Sequence, residues 1–591
     1  KRQVEGSVVQ LYAGGLRNAY DLVFNREGEM FVHDSDMETD EGTPWYRATQ
    51  VFHVIAGGEY GWRSGWSRWP EHAVDSLPPL LDTGRGSPTG CTSYNHFAFP
   101  QRYHNTLFMA DWTRGRILNV KLKRTGGSYA ATSEVFLEGS PLNVTDLEVG
   151  PDGALYFVTG GRGTNGGLYK VAWKGRIPNE ISNLGEGITT AIRMPQLQSA
   201  WARQKLAKLK AELGDGWQRQ LVGVASSESN PPEYRTRALE LLQLFGTPPD
   251  TVLLDMLGQD KSEMVRAKAA ELLGLQGSDD AKKRLVAMLK DSDGYVRRRA
   301  AESLARQESE VSLEQLRPAL AADDRFESWA ARRLLELQPV GQWRDSVLAS
   351  PNPRVLVQGS LALMIAEPDA TNGKEVVDRV AKACGKFVND RDFTDMLRVV
   401  RVAIHRGGLP AGDLEDTRKW LAEEFPSGDA NMNFELLPLL VYLQANEITD
   451  RYVEYLKSKA TPQAKLHAAG HLRFLDSGWK EDQKWELIDT LEKYAHMESS
   501  GNLPVYARNI VRDFSRGLSD EESAYVLERA VKWPNAAVGA IYKLPNELSE
   551  QQLSTLREID RQLSEKGEDA SKPLQVGIVA LLADELTVEP V

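Results

Sequence analysis

The hydrophobic pattern of the chain changes once, near residue 175. Before that point, apolar residues come in short runs separated by Gly, Asn and Pro, which is typical of β-strands joined by tight turns. From about residue 199 onward, they recur at the 3.6-residue spacing of amphipathic helices. We therefore predict a β domain over residues 1–175, a linker over 176–198 and an α-helical domain over 199–591.

The β part repeats itself loosely. Two apolar runs, Leu22–Phe24 and Met30–His33, flank the Gly-containing segment Asn25–Gly28 and predict a hairpin. Similar strand–turn–strand segments recur near residues 97–112 and 146–157. Units of this size, with three or four short strands each, are typical of propeller blades. Each unit is predicted to have a third strand: Thr49–Ile55, Ile117–Leu122 and Leu168–Trp173.

Three blades do not close a ring, because an open stack of sheets leaves edges exposed. We therefore predict about three blades of a six-bladed-type β-propeller, with the other blades supplied upstream or by another chain. A Trp-, Pro- and Gly-rich stretch over residues 63–90 is predicted to form a long ordered loop.

The helical part repeats more regularly. Val265-Arg266 and Val296-Arg297 each begin a helix that contains an Ala-Ala pair, and related segments continue at intervals of about 30 residues. Asp-containing turns precede these helices, and small Ala pairs allow close helix packing. This pattern predicts a HEAT-like α-solenoid. The basic stripe Arg266, Arg297, Arg298 and Arg299 is expected to pair with the Asp turns, and the concave face offers a surface for a protein partner.

Composition and charge exclude several classes of function. The net charge of −12 argues against nucleic acid, which requires a basic face. No apolar run reaches 18 residues, so no membrane span is predicted. The two cysteines, Cys91 and Cys384, form neither a disulfide framework nor a zinc spacing.

A dense acidic segment follows the second predicted strand. Calcium prefers six to eight oxygen ligands, and the alternation of acidic residues here suits it. Position six is Thr39 and position twelve is Trp45, so the segment is not an EF-hand. We predict a loop site that also uses backbone carbonyls, with a solvated acidic loop as the alternative. The predicted metal ligands are Asp34, Asp36, Met37, Glu38 and Asp40. His33 beside them is either a proton acceptor or a hydrogen-bonded core histidine.

Several motifs resemble one family. Gly15-Leu16-Arg17-Asn18-Ala19, the acidic segment and Gly57–Trp62 resemble the soluble quinoprotein glucose and sorbosone dehydrogenases. Asp34–Glu38, Gly86–Gly90 and Gly160–Thr164 look like motifs of the planctomycete-type membrane-bound dehydrogenases, haem-binding domain proteins in which HEAT repeats and a c-type cytochrome follow the propeller. Two positions depart from the family pattern: Ala19 replaces Pro, and Glu59 replaces Asn.

The resemblance implies a periplasmic or extracytoplasmic oxidoreductase. It implies pyrroloquinoline quinone and calcium as cofactors, a carbohydrate-like substrate, and electron transfer to a c-type cytochrome module outside this chain. The residues placed at the quinone are Arg17, Asn18 and Arg162. The family's catalytic histidine lies in an upstream blade, so the catalytic residue of this chain is unknown. A non-catalytic scaffold that binds glycan or protein partners remains the alternative.

Overall fold

The computed structural model describes residues 2–4, 7–64, 67–498, 501–545, 547–567 and 569–584. The chain forms two compact units. Unit 1 comprises Lys1–Asp36 and Arg47–Ala383, and unit 2 comprises Met37–Tyr46 and Cys384–Val591.

The strands of unit 1 are β1 (Arg2–Val4), β2 (Ser7–Val9), β3 (Leu22–Phe24), β4 (Met30–Asp34), β5 (Thr49–Val54), β6 (Trp62–Arg63), β7 (Ser67–Arg68), β8 (Leu81–Gly84), β9 (Pro88–Tyr94), β10 (Thr106–Asp111), β11 (Arg116–Thr125), β12 (Ser128–Glu138), β13 (Val144–Val149), β14 (Leu155–Gly161) and β15 (Thr164–Val171). They form three larger antiparallel sheets in the orders β3-β4-β5-β8, β12-β11-β10-β9 and β13-β14-β15, and two small sheets, β1-β2 and β6-β7.

The first sheet confirms the predicted hairpin. Val23 pairs with Phe31, and Phe31 pairs with His53. In the turn, the Asn25 side-chain oxygen accepts the backbone N–H of Glu29 at 2.9 Å, and Gly28 has a φ of +84° that favours glycine. The stretch predicted as a loop over 63–90 contributes β8, which is the fourth strand of this sheet.

Three successive antiparallel sheets are thus present, as the repeated pattern predicts. β9 packs against both β3 and β13, so neighbouring sheets meet through their first strands. Tyr94, Phe108, Ile117, Val144 and Leu155 bury an apolar core across the second and third sheets. Membership of a six-bladed ring stays a prediction, because no closed ring is formed by the described residues.

The helices of unit 1 are α1 (Asn179–Ser182), α2 (Ile188–Arg193), α3 (Ala200–Leu213), α4 (Gly216–Ser226), α5 (Pro232–Phe245), α6 (Thr251–Leu257), α7 (Glu263–Leu273), α8 (Asp279–Met288), α9 (Gly294–Arg306), α10 (Leu313–Leu320), α11 (Arg325–Leu335), α12 (Arg344–Leu348), α13 (Pro353–Ala366) and α14 (Ala370–Cys384, whose last residue belongs to unit 2). The predicted linker 176–198 contains α1 and α2. The predicted domain boundaries stay predictions.

The helical repeats follow from local signals. Asp293 precedes α9 and accepts the backbone N–H groups of Tyr295 and Val296, which is the expected N-cap. The Ala pairs of α7 and α9 are buried, and these two helices pack against each other.

Helix α11 packs on the first sheet within unit 1. Its Phe326 and Trp329 join Val32, Phe52 and Val54 of β4 and β5 in one buried apolar cluster. The first sheet and the repeats therefore share a hydrophobic core.

The helices of unit 2 are α15 (Asp390–Gly407), α16 (Glu415–Glu423), α17 (Ala430–Tyr442), α18 (Thr449–Lys457), α19 (Pro462–Leu472), α20 (Glu481–Ala495), α21 (Leu503–Arg516), α22 (Asp520–Glu528), α23 (Pro534–Ala540), α24 (Glu550–Lys566) and α25 (Lys572–Asp584). Successive helices bury apolar faces, as the persistent helical period predicts. Among the described residues, no helix is both long and apolar enough to cross a membrane.

Candidate functional site

Two buried aspartates occupy equivalent places in the first two sheets. Asp34 ends β4, and its two carboxylate oxygens accept the backbone N–H groups of Arg17 and Asn18, both at 2.8 Å. Asp111 ends β10 and accepts the backbone N–H of Ser87 at 2.9 Å. In each sheet the carboxylate thereby holds the segment that leads into the first strand.

Each aspartate also has a guanidinium partner. Arg68 forms an ion pair with Asp34, and Arg116 forms one with Asp111 at 3.0 Å. Both carboxylates are fully buried. Because the same arrangement recurs in two sheets, Asp34 has a structural role, and its two oxygens already accept three protein donors.

Arg17 is fixed at the start of this arrangement. Its Nη1 donates to Ser35 Oγ at 2.7 Å, and its guanidinium lies 5.6 Å from the centroid of the Trp62 ring. The neighbouring Asn18 is exposed. Arg17 is therefore held by its backbone and its side chain, which pre-organises its charge.

Arg162 lies in the turn between β14 and β15. Gly161 pairs with Thr164, so Arg162 and Gly163 form a two-residue hairpin loop. Their φ angles of +47° and +78° are those of a type I′ turn, in which Asn or Gly is the favoured first residue. The exposed guanidinium lies 5.5 Å from the Trp112 ring centroid, and Trp112 Nε1 donates to the Gly160 carbonyl at 2.7 Å.

These residues share one kind of position. In an antiparallel sheet the start of the first strand and the end of the second lie at the same end. Arg17 precedes β3 and Arg162 follows β14, so the fold places both at that end of their sheets. Arginines stand at the corresponding ends of all three sheets: Arg17, Arg85, Arg114, Arg116 and Arg162. Asp34 and Asp111 lie at the same ends and pair with Arg68 and Arg116, so these ends carry charges of both signs. The exposed guanidinium of Arg162 is the group there that suits an anionic ligand.

The other predicted metal ligands fall in both units. Asp36 is buried in unit 1, whereas Met37, Glu38 and Asp40 belong to unit 2. Asp40 accepts the hydroxyl of Tyr506 at 2.8 Å, and the Thr39 carbonyl accepts the backbone N–H of Asn502 at 2.6 Å.

The acidic segment is therefore packed on the start of α21 within unit 2. Asp40 is buried, which differs from the solvated acidic loop given as the alternative to a calcium site. Across the described ranges, no group of three or more His, Cys, Asp or Glu side chains is placed to hold a metal ion. The calcium site, with Asp34 among its predicted ligands, stays a prediction.

His33 is a core histidine. It is 1% exposed, and its Nε2 lies 2.9 Å from Thr83 Oγ1. Burial lowers its pKa to about 4, and the smaller opposing effects of Asp111 and Asp34 do not restore it. Its role as a proton acceptor near neutral pH is therefore not supported.

The sequence did not predict the buried charge cluster around Glu29. Glu29, in the β3–β4 turn, forms ion pairs with Arg298 and with Arg299 Nε (3.1 Å), and His53 Nε2 lies 3.0 Å from its carboxylate. The four arginines of the basic stripe therefore have different partners. Arg266 pairs with Asp291 of a turn, as expected, and Arg297 pairs with Glu327. Consecutive residues of a helix point in different directions, so Arg297, Arg298 and Arg299 could not all have faced the same turn. This geometry was the sequence signal that the stripe has more than one set of partners.

Comparison with known proteins gives partial matches. Residues 250–336 match the family model for HEAT repeats. A search of curated protein sequences found no match. Among solved structures, the chain is similar to an oxidoreductase described as a glucose dehydrogenase from Thermus thermophilus, with 22% identity, 28% of this chain and 49% of that chain covered, and a TM-score of 0.23.

The PQQ-bound aldose sugar dehydrogenase from Streptomyces coelicolor matches at 20% identity, with coverage of 28% of this chain and 46% of that chain and a TM-score of 0.22. A structure of Kap95p with RanGDP matches at 11% identity, with coverage of 70% and 59% and a TM-score of 0.44. The chain spans about half the length of the two dehydrogenases. No residue role follows from these alignments.

Proposed function

We propose that this chain is part of an extracytoplasmic oxidoreductase of the quinoprotein sugar or alcohol dehydrogenase type. The single observation that carries the proposal is the arginine-rich end of the three sheets, where Arg17 is held rigidly and Arg162 is exposed over Trp112. Pyrroloquinoline quinone is a planar anion, so guanidinium groups and aromatic rings suit it chemically. A c-type cytochrome module outside this chain would receive the electrons.

The charges of Arg17 and Arg162 and the exposure of Arg162 and Asn18 support a quinone site here. Arg17 would hold one anionic oxygen of the ligand, because its guanidinium is oriented before the ligand arrives. Arg162 and Asn18 are exposed and would bind and orient its periphery. When bound, the quinone would itself be the oxidant of a carbohydrate-like substrate.

Asp34 accepts two backbone N–H groups and the Arg68 guanidinium, so most of its hydrogen-bonding capacity is already used by the protein. Calcium is accordingly treated as a variable of the experiment and has no assigned role in the reaction.

The test is calorimetric titration of pyrroloquinoline quinone into the full-length protein, with and without calcium. Arg162→Asn is the most informative variant, because Asn suits the type I′ turn while the charge is removed. We expect at least tenfold weaker quinone binding for Arg162→Asn and for Arg17→Gln. Arg317→Gln, which removes a guanidinium from α10, is the matched control and should bind normally. Absence of quinone binding by the unmodified protein would overturn the proposal.

A second candidate is a non-catalytic scaffold that binds glycan or protein partners. It is favoured by one observation: residues 250–336 match the family model for HEAT repeats, and stacked repeats of this kind form extended surfaces that bind partners. Dye reduction by the quinone-loaded protein, measured with a panel of aldoses and sugar alcohols, separates the two. Quinone binding without sugar-dependent dye reduction, or no quinone binding at all, would favour the scaffold.

A further inference from the structure

A cavity of about 210 Å³ lies between the sheets and the helical repeats of unit 1. Its walls come from the β3–β4 turn, from the second sheet and from helices α5, α7 and α9. The turn lies at the start of β4, whereas Asp34 lies at the end of that strand. The cavity is therefore separate from the arginine-rich end and independent of the proposed quinone site.

Most charged groups of the cavity wall are paired with one another or with close neighbours. Lys268 bonds to Glu271 at 2.8 Å and to Glu240 at 3.3 Å. Arg124 pairs with Glu263 at 2.6 Å, and Arg299 pairs with Glu29. These cations are already neutralised, which argues against a simple anion as the ligand.

Three charged groups of the wall remain. In the part of the chain that the structure describes, the side chains of Glu27, Glu233 and Arg26 form no ion pair. The backbone of Glu27 is bonded, since its carbonyl accepts Lys268 Nζ at 3.1 Å and its N–H donates to Asn25. The unpaired charges are thus two carboxylates and one guanidinium. An unpaired carboxylate in a partly buried place is unfavourable, and burial raises the pKa of Glu27.

We propose that this cavity binds a small organic molecule with a primary ammonium group, held by Glu27 and Glu233. An ammonium group supplies three donors and the positive charge that these carboxylates lack. Met264, Ala267 and Tyr295 line the same cavity and give the carbon atoms of the ligand an apolar surface.

Two kinds of molecule carry this group. In an α-amino acid, the carboxylate would pair with Arg26. In a diamine, the second ammonium group would be repelled by the guanidinium of Arg26, so Arg26 would not contribute to binding. The shared chemistry is the ammonium group, and Arg26 distinguishes the two sources.

The probes are L-alanine, 1,4-diaminobutane and propionate, each titrated into the full-length protein by calorimetry, with melting temperatures recorded in parallel. Propionate lacks the ammonium group and should not bind. Glu27→Gln is the decisive variant. It removes an unpaired carboxylate, so we expect a melting temperature without ligand equal to or above that of the unmodified protein, together with at least tenfold weaker ammonium binding.

Glu228→Gln is the matched control, because Glu228 is an exposed carboxylate paired with Lys261 and lies outside the cavity wall. Its ligand affinity should be unchanged. Weaker L-alanine binding in Arg26→Gln identifies the amino-acid class, and unchanged or tighter diaminobutane binding in that variant identifies the diamine class. The highest ligand concentration is about 20 mM, which is well above the dissociation constant of a weak, millimolar site. The proposal is overturned if neither ammonium compound binds at that concentration. It is also overturned if Glu27→Gln binds them as tightly as the unmodified protein.

Discussion

Replacing Glu29 by Gln tests the buried charge cluster that joins the first sheet to helix α9. Glu29 is 3% exposed, and Arg298 and His53 are fully buried. The substitution keeps the size of the side chain but removes one carboxylate from two buried guanidinium groups. Breaking a buried ion pair on one side typically costs about 3–5 kcal/mol. Arg298 keeps Glu302 at 2.6 Å and Arg299 keeps Glu271 at 3.4 Å, so the loss should lie at the lower end of this range.

The loss should be measured locally, because amide hydrogen exchange resolves elements of unit 1 from those of unit 2. Amide hydrogen exchange of β4 and α9 reports the opening of this part of unit 1. Since each 1.4 kcal/mol corresponds to a factor of ten, we expect protection in Glu29→Gln to fall by roughly a hundredfold or more. Glu314→Gln, which breaks an exposed pair with Arg317, should leave protection unchanged.

The pH dependence gives an independent check. Burial alone would raise the pKa of Glu29, but the charges of Arg298 and Arg299 lower it well below its ordinary value of 4.5. A lowered pKa means that the stabilisation is complete above about pH 4.5 and is lost as the pH falls further. Glu29→Gln should lack the part of the acid-induced loss of stability that comes from protonation of Glu29. Amide protection of β4 and α9 in Glu29→Gln within threefold of that in the unmodified protein would refute the reasoning.

Three further predictions follow from the sheet ends. Asp34→Ala should destabilise unit 1 by about 3–5 kcal/mol, because Arg68 stays buried without its partner, and thermal unfolding should show the same loss in EDTA and in calcium. A loss seen only in calcium would contradict this role. Arg162→Asn should raise the free energy of unfolding by up to about 1 kcal/mol in urea titrations, since Asn tolerates the left-handed conformation better; a loss would contradict the turn assignment. His33 should titrate by NMR at about pH 4. Because the pKa of His33 is lowered, its contribution to stability is complete above about pH 6.5 and decreases by up to about 3 kcal/mol toward pH 4. An NMR titration midpoint near pH 6.5 would contradict its burial.

The elements of this protein could be predicted because their signals are local. The hairpin at Asn25–Gly28 follows from alternating apolar residues and a turn glycine, and both lie within a few residues of each other. The Asp N-caps and buried Ala pairs of the repeats are equally local, and the family match over residues 250–336 agrees with them. Position at a sheet end was also predictable, since strand order alone places Arg17 and Arg162 there.

Charge partners could not be predicted, because an ion pair has no sequence period. Glu29 and Arg298 are 269 residues apart, and Asp40 and Tyr506 are 466 residues apart. Five carboxylates in a short segment suggested a cation, yet Asp34 accepts backbone N–H groups of its own sheet. The sequence by itself determined which segments become strands and helices. Only the tertiary structure decided which charges meet, because burial and distance, rather than spacing along the chain, set the strength of an electrostatic contact.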